Sequence, residues 1–445
     1  MNPMVRIAVF CSTALVARAA FAEDTAPPPS DAPPPPVEPS STPVPEVPAA
    51  APPPAAPPPL STEELKELEA ALAAEGTASA PPTLKLPDLS QVNLASGIPG
   101  IQGMNPTIAV TLDFAGAAFS ADPLQTGGHD PDHNGFTLRQ VELALGASVD
   151  PFARLDANLV FKEGVEVEEV FATTLGLPWN LQARVGEFFT HFGRINEQHP
   201  HAWRFVDQPL VNGKLLGEDN HHGKGVELSW LAPLPWALTV YGTVQEPGEP
   251  CCSVSYSPSE ESLATVRSPA DLVYEAALEQ FFALGDDLSL LWGLSTQAGP
   301  AQYLGEGGRA ELQGTDLLLR YQPSDAPSRW SLELQVEAML RTRHEPGTFL
   351  VDQGGYGQLV WRINPEWETG ARYEIVHGLE DDAFDETGLG PMVQRGAAQL
   401  TYYPSHFSRL RLQGSVGDRN DGSPPVWALV ADLEFTIGAH AAHAY

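Results

Sequence analysis

The sequence predicts an all-β fold, a transmembrane antiparallel β-barrel of about 16 strands with short turns at its periplasmic end and long loops at its outer end. Three observations carry that prediction. Beyond Pro106 the chain alternates apolar with polar or small residues, the two-residue period of a strand with one face in an apolar medium. Those runs come to sixteen, an even number, which returns both chain ends to the same side. The connections between them alternate short and long almost throughout, as turns on one side of an outer membrane and loops on the other do. No apolar run approaches the roughly 18 residues of a spanning helix, so strands are the available way across.

Composition narrows the class. The chain has 445 residues, with 57 Asp and Glu against 24 Lys and Arg and a formal charge of -33. So acidic a chain repels phosphate backbones, which excludes nucleic-acid binding. Three cysteines are too few for a disulfide scaffold.

Residues 1–22 read as a secretory signal peptide: Arg6, the apolar stretch Ile7 to Ala17, then Ala20-Phe21-Ala22 before Glu23. Its removal takes Arg6 and Arg18, so -33 becomes about -35. Residues 23–60 form a disordered linker, in which 17 prolines between Pro27 and Pro59 forbid helix and sheet and favour an extended spacer. Ser61 and Glu64 make a capping box for a short amphipathic helix over 61–76, with Leu65, Leu68 and Leu72 on one face. Residues 77–103 are a second linker, and 104–445 form the barrel.

Strands are expected near 107–115, 137–149, 152–162, 166–177, 180–190, 223–231, 236–245, 273–284, 287–297, 314–322, 330–343, 354–363, 367–378, 395–403, 407–418 and 424–438. In the third of these, Leu155, Ala157 and Leu159 alternate with Arg154, Asp156 and Asn158. In the eleventh, Leu332, Leu334 and Val336 alternate with Glu333, Gln335 and Glu337. Long loops are expected at 116–136, 191–222, 246–272, 298–313, 344–353 and 379–394. Phe152, Trp179, Trp236, Trp330, Trp361, Trp367, Tyr402 and Tyr403 fall near strand ends, where interfacial girdles sit. A soluble propeller would need a blade repeat and a sandwich of this size a dividing linker; the chain has neither. Tyr445 is the terminal aromatic that barrel assembly signals use, although the cleanest last strand stops near Phe435 or Ile437.

The stretch from Gly186 through Phe192-Gly193-Arg194 to His199-Pro200-His201-Ala202-Trp203, continuing to Leu210, resembles a strand end and Phe-Gly turn before a folded loop in the porin-like outer-membrane β-barrel family, including, more distantly, phosphate-selective porins. The His-Pro-His-Ala-Trp segment, with Asn105-Pro106 and Glu163 to Glu169, is closer to a little-characterised family known as zinc-regulated TonB-dependent outer-membrane receptors. The resemblance implies a location in the bacterial outer membrane, with the tether in the periplasm. It also implies membrane lipid and the barrel-assembly machinery as partners, and a homotrimer. TonB coupling is not expected, because 22-stranded transporters carry a plug in the lumen and the Pro-rich segment before Asn105 offers none.

The longest loop, 191–222, is the expected constriction. Trp203, Phe205 and Phe192 would anchor it to the wall while Arg194, Glu197, Arg204 and Asp207 face the lumen. Opposite charges across a narrowing sort ions and orient dipolar solutes. Arg154, Asp156, Glu333, Glu337, Arg409 and Arg411 fall on the inward face of their strands, the last two as a local basic ladder. Glu166, Glu168 and Glu169 are expected at the outer rim. Seven histidines lie in two outer loops: His129 and His133 in the first, and His191, His199, His201, His221 and His222 in the long one. Imidazole with carboxylate suits Zn²⁺ or similar ions, though the spacing matches no structural zinc site. Zn²⁺ is therefore a candidate cargo, and no cofactor is expected. Cys251 and Cys252, being adjacent, are expected to pair between chains or to stay free.

No catalytic constellation stands out, and enzyme activity is not expected. The expected function is a porin-like channel for small polar solutes or ions, mildly cation-preferring. The alternatives are a receptor that binds zinc or a metal complex through its histidine-rich loops, and a structural barrel with a closed lumen.

Overall fold

The computed structural model describes residues 107–438, except 163, 258–265, 302–307, 325–329, 346–347 and 378–390. The signal peptide (1–22), both linkers (23–60 and 77–103), the helix (61–76) and Tyr445 lie outside the described residues.

Sixteen strands follow one another: β1 (Thr107–Phe119), β2 (Gly135–Ser148), β3 (Ala153–Phe161), β4 (Val165–Thr174), β5 (Leu181–Phe189), β6 (His222–Leu231), β7 (Ala237–Gln245) and β8 (Val273–Ala283). The second half comprises β9 (Leu288–Pro300), β10 (Arg309–Tyr321), β11 (Ser331–Glu345), β12 (Thr348–Arg362), β13 (Trp367–His377), β14 (Met392–Ser405), β15 (Ser408–Asp418) and β16 (Val426–Gly438). Each pairs antiparallel with its neighbours, and β16 returns to β1, with Ala109 opposite Gly438 and Phe119 opposite Ala428. Closure gives every strand two partners, the condition for placing backbone N–H and C=O groups in hydrocarbon.

The pleat separates two chemistries. On β11, Leu334 and Val336 are exposed outward while Glu333, Gln335, Glu337 and Arg341 are buried inside. The same split continues around the wall: Leu278, Leu294, Leu359, Leu400, Leu412 and Leu429 face out. An outer surface so apolar belongs against lipid. Trp179, Trp236, Trp330, Trp361, Trp367 and Tyr402 are exposed near the short turns, as an interfacial girdle requires. Tyr403 departs from the girdle: it lines an internal cavity, with the Arg362 guanidinium 4.1 Å over its ring.

Two expected loops are shorter than the sequence implied. β11 and β12 run on to a connection at 346–347, where a loop over 344–353 was expected, and β9 and β10 leave only 301–308 between them. The stretch 344–353 resembled a loop because His344, Glu345, Asp352 and Gln353 are polar and Pro346-Gly347 is a turn signal. It remains strand because the charges meet inside: Arg341 Nη2 lies 2.7 Å and Arg343 Nη2 3.3 Å from Asp352.

Two bulges change which residues face inward. On β2 the register with β1 slips at Asp113 and Phe114, so Arg139 and Gln140, although adjacent, are both buried. On β4 the register with β3 slips at Asn158 and Leu159, and Glu168 and Glu169 both turn inward. A bulge inserts one unpaired residue and re-aims side chains in this way.

The loop end of the barrel is filled from within. Leu124, Phe192, Ile195, Trp203, Leu210, Val211, Leu215, Leu216 and Tyr256 from the loops form one apolar cluster with Leu312, Met339, Tyr356, Val376, Val393 and Val426 of the wall. Two short helices belong to this filling, α1 (Leu210–Leu215) against β12 and β13, and α2 (Pro250–Ser253) near β6.

Candidate functional site

The segment from Thr190 to His221 leaves β5 and runs inside the barrel. Its path begins at a Phe-Gly turn: Gly193 has φ +69°, a conformation glycine adopts without strain. The Gly193 N–H donates to Ser295 Oγ at 3.0 Å and the Arg194 N–H to Glu337 Oε1 at 3.2 Å. Two wall glycines make room. A Cβ on Gly314 would stand 2.9 Å from the Phe192 ring, and one on Gly354 would stand 2.8 Å from Val211.

The middle of the loop is held by side chains of the wall. Arg411 donates to the carbonyls of Trp203 (2.8 Å) and Phe205 (2.9 Å), and Arg409 to those of His201 (2.9 Å) and Trp203 (3.3 Å). Arg139 donates to Val206 O, Arg372 to Asp207 O (2.9 Å) and Arg395 to Gln208 O (3.2 Å). The Val206 N–H donates to Gln413 Oε1 and the Leu210 N–H to Glu374 Oε2. Backbone groups that a sheet would satisfy by a ladder are here satisfied by arginine and carboxylate, which meets the requirement that buried N–H and C=O be paired.

The arginines are themselves neutralised. Arg139 contacts Asp113 at 2.6 Å and Asp432 at 3.2 Å, Arg411 contacts Asp432 at 2.9 Å, and Arg409 pairs with Glu434. Asp207 accepts from Arg372 and, at 2.8 Å, from Gln413, and forms an ion pair with Arg395 at 2.9 Å. Burial alone would raise the Asp207 carboxyl, but Arg395 and Arg372 outweigh it and hold it down at about 2. Asp207 is thus buried in the loop's attachment rather than facing open lumen as expected.

Arg204 reaches the opposite wall, 3.0 Å from Glu333 and 3.3 Å from Glu368, and Glu333 also binds Arg320. Glu337 accepts from Tyr356 at 2.7 Å besides the loop amide. Arg154 and Asp156 stand apart from this group and bond to each other at 2.7 Å, half-exposed near the turn after β2.

The seven histidines fall into four places. His133 is exposed beside Asp132 at 2.7 Å. His191 lies between Glu227 (2.8 Å) and Glu197 (3.3 Å), stacked on Tyr241 with ring centroids 3.7 Å apart. Burial opposes its charge, but Glu197 and Glu227 raise it to about 8. His221 bonds Cys252 O at 3.0 Å and burial pushes it down to about 4, whereas His222 packs edge-on against Phe189.

His129, His199 and His201 gather around acids of β2 and β4. His199 Nδ1 lies 2.7 Å from Glu168, His199 Nε2 3.1 Å from Glu169, and His201 Nδ1 2.7 Å from Glu142. His129 Nε2 is 3.5 Å from Glu168 and 3.3 Å from Asp219. Burial works against the charge on His129, yet Glu168 and Asp219 lift it to about 9. Ligand atoms of Glu142, Glu168 and His199 all lie within 4.8 Å of one another, a grouping that suits a metal ion. Glu168 and Glu169 are therefore inner residues and not the rim expected of them. The β4 bulge that turns both inward leaves no mark on the two-residue pattern.

Cys251 and Cys252 are bonded to each other, in contrast to the interchain or free thiols expected. The helical turn α2 buries Cys252 and sets its carbonyl against His221.

Two cavities flank the loop toward the turn end. One of about 630 Å³ is lined by Arg184, His191, Glu227, Tyr241 and small polar residues of β4 to β7. The other, of about 220 Å³, is lined by Arg194, Arg204, Arg320, Arg409 and Tyr403, with Glu333.

A protein of Aquifex aeolicus (strain VF5), described only as uncharacterized, is 33% identical over 352 residues, covering 72% of this chain and 73% of its own length. The chain belongs to that protein's family. No family model matches it. Among solved structures, the fold of this chain is similar to the anion-selective porin from Comamonas acidovorans (TM-score 0.51, 9% identity, 75% of this chain and 100% of that one). It is similar as well to the outer-membrane channel DcaP of Acinetobacter baumannii (TM-score 0.51, 12% identity, 76% and 98%) and to Pseudomonas putida OprB (TM-score 0.50, 11% identity, 76% and 94%). These likenesses show the fold of this chain: a closed 16-strand β-barrel like those of outer-membrane porins. Its apolar outer face and closed sheet place it in the outer membrane.

Proposed function

We propose that this protein is a diffusion channel for small polar solutes and ions, narrowed by the segment 191–222 and mildly selective for cations. The porin-type barrel supports the channel role in general. The observation that carries the finer reading is the set of arginine-to-carbonyl bonds that fixes Trp203 to Gln208 inside the lumen.

That attachment also supports the proposed sign of selectivity. Arg139, Arg372, Arg395, Arg409 and Arg411 are engaged with loop carbonyls and with Asp113, Asp207, Glu374, Asp432 and Glu434, so their charge is neutralised locally. Glu227 lines the larger cavity with Arg184 and His191; beside it the partly exposed Glu197 meets His191, and both Glu279 and Arg194 act on Glu197. Acids outnumber permanent cations there, and a charged passage favours ions of opposite sign.

Membrane lipid is the partner of the outer face, with insertion by the barrel-assembly machinery and a homotrimeric state as parts of the same proposal. TonB coupling is not part of it. Liposome swelling with the full-length chain tests the channel: arabinose is expected to enter, more slowly as sugar size grows, and a small organic cation faster than an anion of equal size. Vesicles carrying folded protein yet impermeable to arabinose would refute it.

A further inference from the structure

Glu142 on β2 and Glu168 on β4 meet His199 of the loop deep in the wall, all three side chains at most 5% exposed. Every ion pair described for Glu142, Glu168 and Glu169 is to a histidine. Buried carboxylates in such a group are stable when paired or when they coordinate a metal. The His199 ring is oriented from behind: Nε2 faces Glu169 at 3.1 Å, leaving Nδ1 turned toward Glu168 at 2.7 Å and Glu142 at 3.9 Å. A carboxylate on the far nitrogen is the usual support of a metal-binding histidine. Ligands 2.0–2.1 Å from a tetrahedral zinc ion lie about 3.3 Å apart, a spacing that those two contacts bracket.

We propose that Glu142, Glu168 and His199 bind one divalent cation of the zinc class, with His201 beside Glu142 as the nearest further nitrogen and Glu169 as the positioning carboxylate. The ion takes the place of the proton on His199 Nδ1, which is released to solvent on binding. It joins two strands to the loop and so acts as a resident clamp. Burial at this depth sets it apart from a cargo captured by exposed outer-loop histidines such as His133. The inference stands independently of the diffusion-channel reading, because a barrel without conductance would hold the same ion.

The test uses the refolded, metal-stripped full-length chain titrated with Zn²⁺ and, for a spectrum, with Co²⁺. One equivalent of each is expected per chain, Co²⁺ giving the intense visible d–d bands of a low-coordinate site. Glu168→Gln and His199→Gln are expected to abolish stoichiometric binding, Glu169→Gln to weaken it about 10- to 100-fold, and His133→Ala to leave it unchanged. Folding of each variant is checked by heat-modifiable migration, and where one fails to fold the wild-type Co²⁺ titration decides. Absence of a one-equivalent site in wild type overturns the proposal, as does binding that survives in folded His199→Gln or is lost in His133→Ala.

Discussion

Replacing Asp207 with Asn removes one negative charge from between two buried guanidiniums. Arg372 and Arg395 would then keep Glu374 as their shared ion-pair partner, 3.0 Å from Arg395, with Asp130 as a further acid near Arg395. Breaking a buried pair by neutralising one partner costs about 3–5 kcal/mol. A second route gives a compatible figure. The Asp207 carboxyl is held near 2 against 3.8, and at 1.36 kcal/mol per pH unit this amounts to about 2–3 kcal/mol of attachment. The sign follows from the depressed value: the contribution is full above about pH 4 and is lost as pH falls through 2. Either figure shifts the balance between attached and detached loop by about two orders of magnitude or more. Trypsin reports it, because Arg194, Arg204 and Lys214 lie in the segment. Folded Asp207→Asn is expected to be cut there at least tenfold faster than wild type and to show larger, noisier conductance. Cleavage and conductance both unchanged would refute the idea that the Asp207 cluster holds the loop.

Other outcomes follow from the same geometry. Gly314→Leu places a side chain where Phe192 sits, 2.9 Å from even its first carbon, and should loosen the loop by roughly 1–3 kcal/mol, the usual cost of overpacking, read as faster tryptic cleavage within 191–222. His191 is lifted to about 8, so its charge is present below about 6.5 and lost as pH rises through 8. Cation selectivity, measured by reversal potential, is expected to increase between pH 6 and 9 in wild type and to stay flat in His191→Gln. Glu197→Gln removes an acid beside the larger cavity and should lower the cation-to-anion permeability ratio without changing heat-modifiable migration.

Much of the fold is legible in the sequence because lipid outside and water or charge inside impose the same alternation on every strand. Leu334 and Val336 against Glu333 and Glu337 show it plainly. What escapes is whatever breaks the period. Arg139 shares the parity of the outward Val141 and Leu143, and Glu168 is adjacent to Glu169, so only the bulges in the ladder reveal that all of these charges turn inward. The Phe-Gly turn and aromatics of the long loop mark it as a segment that packs. Its fastening is not readable locally, since Arg409 and Arg411 reach Trp203 only after β15 has closed round to face β5, a separation of more than 200 residues. The seven histidines looked like one resource and are four environments, sorted by which acids the closed wall brings to each. Asp352 misled for a related reason: its charge finds Arg341 and Arg343 across the hairpin, which makes a polar stretch good strand.

The most direct test of the account is the reversal potential of the full-length protein in a planar bilayer under a salt gradient at neutral pH. Steady openings with a reversal potential of the sign for mild cation preference are what the neutralised arginines and the acidic larger cavity predict. Openings selective for anions would contradict the charge assignment, and folded, inserted protein that never conducts would contradict the channel itself.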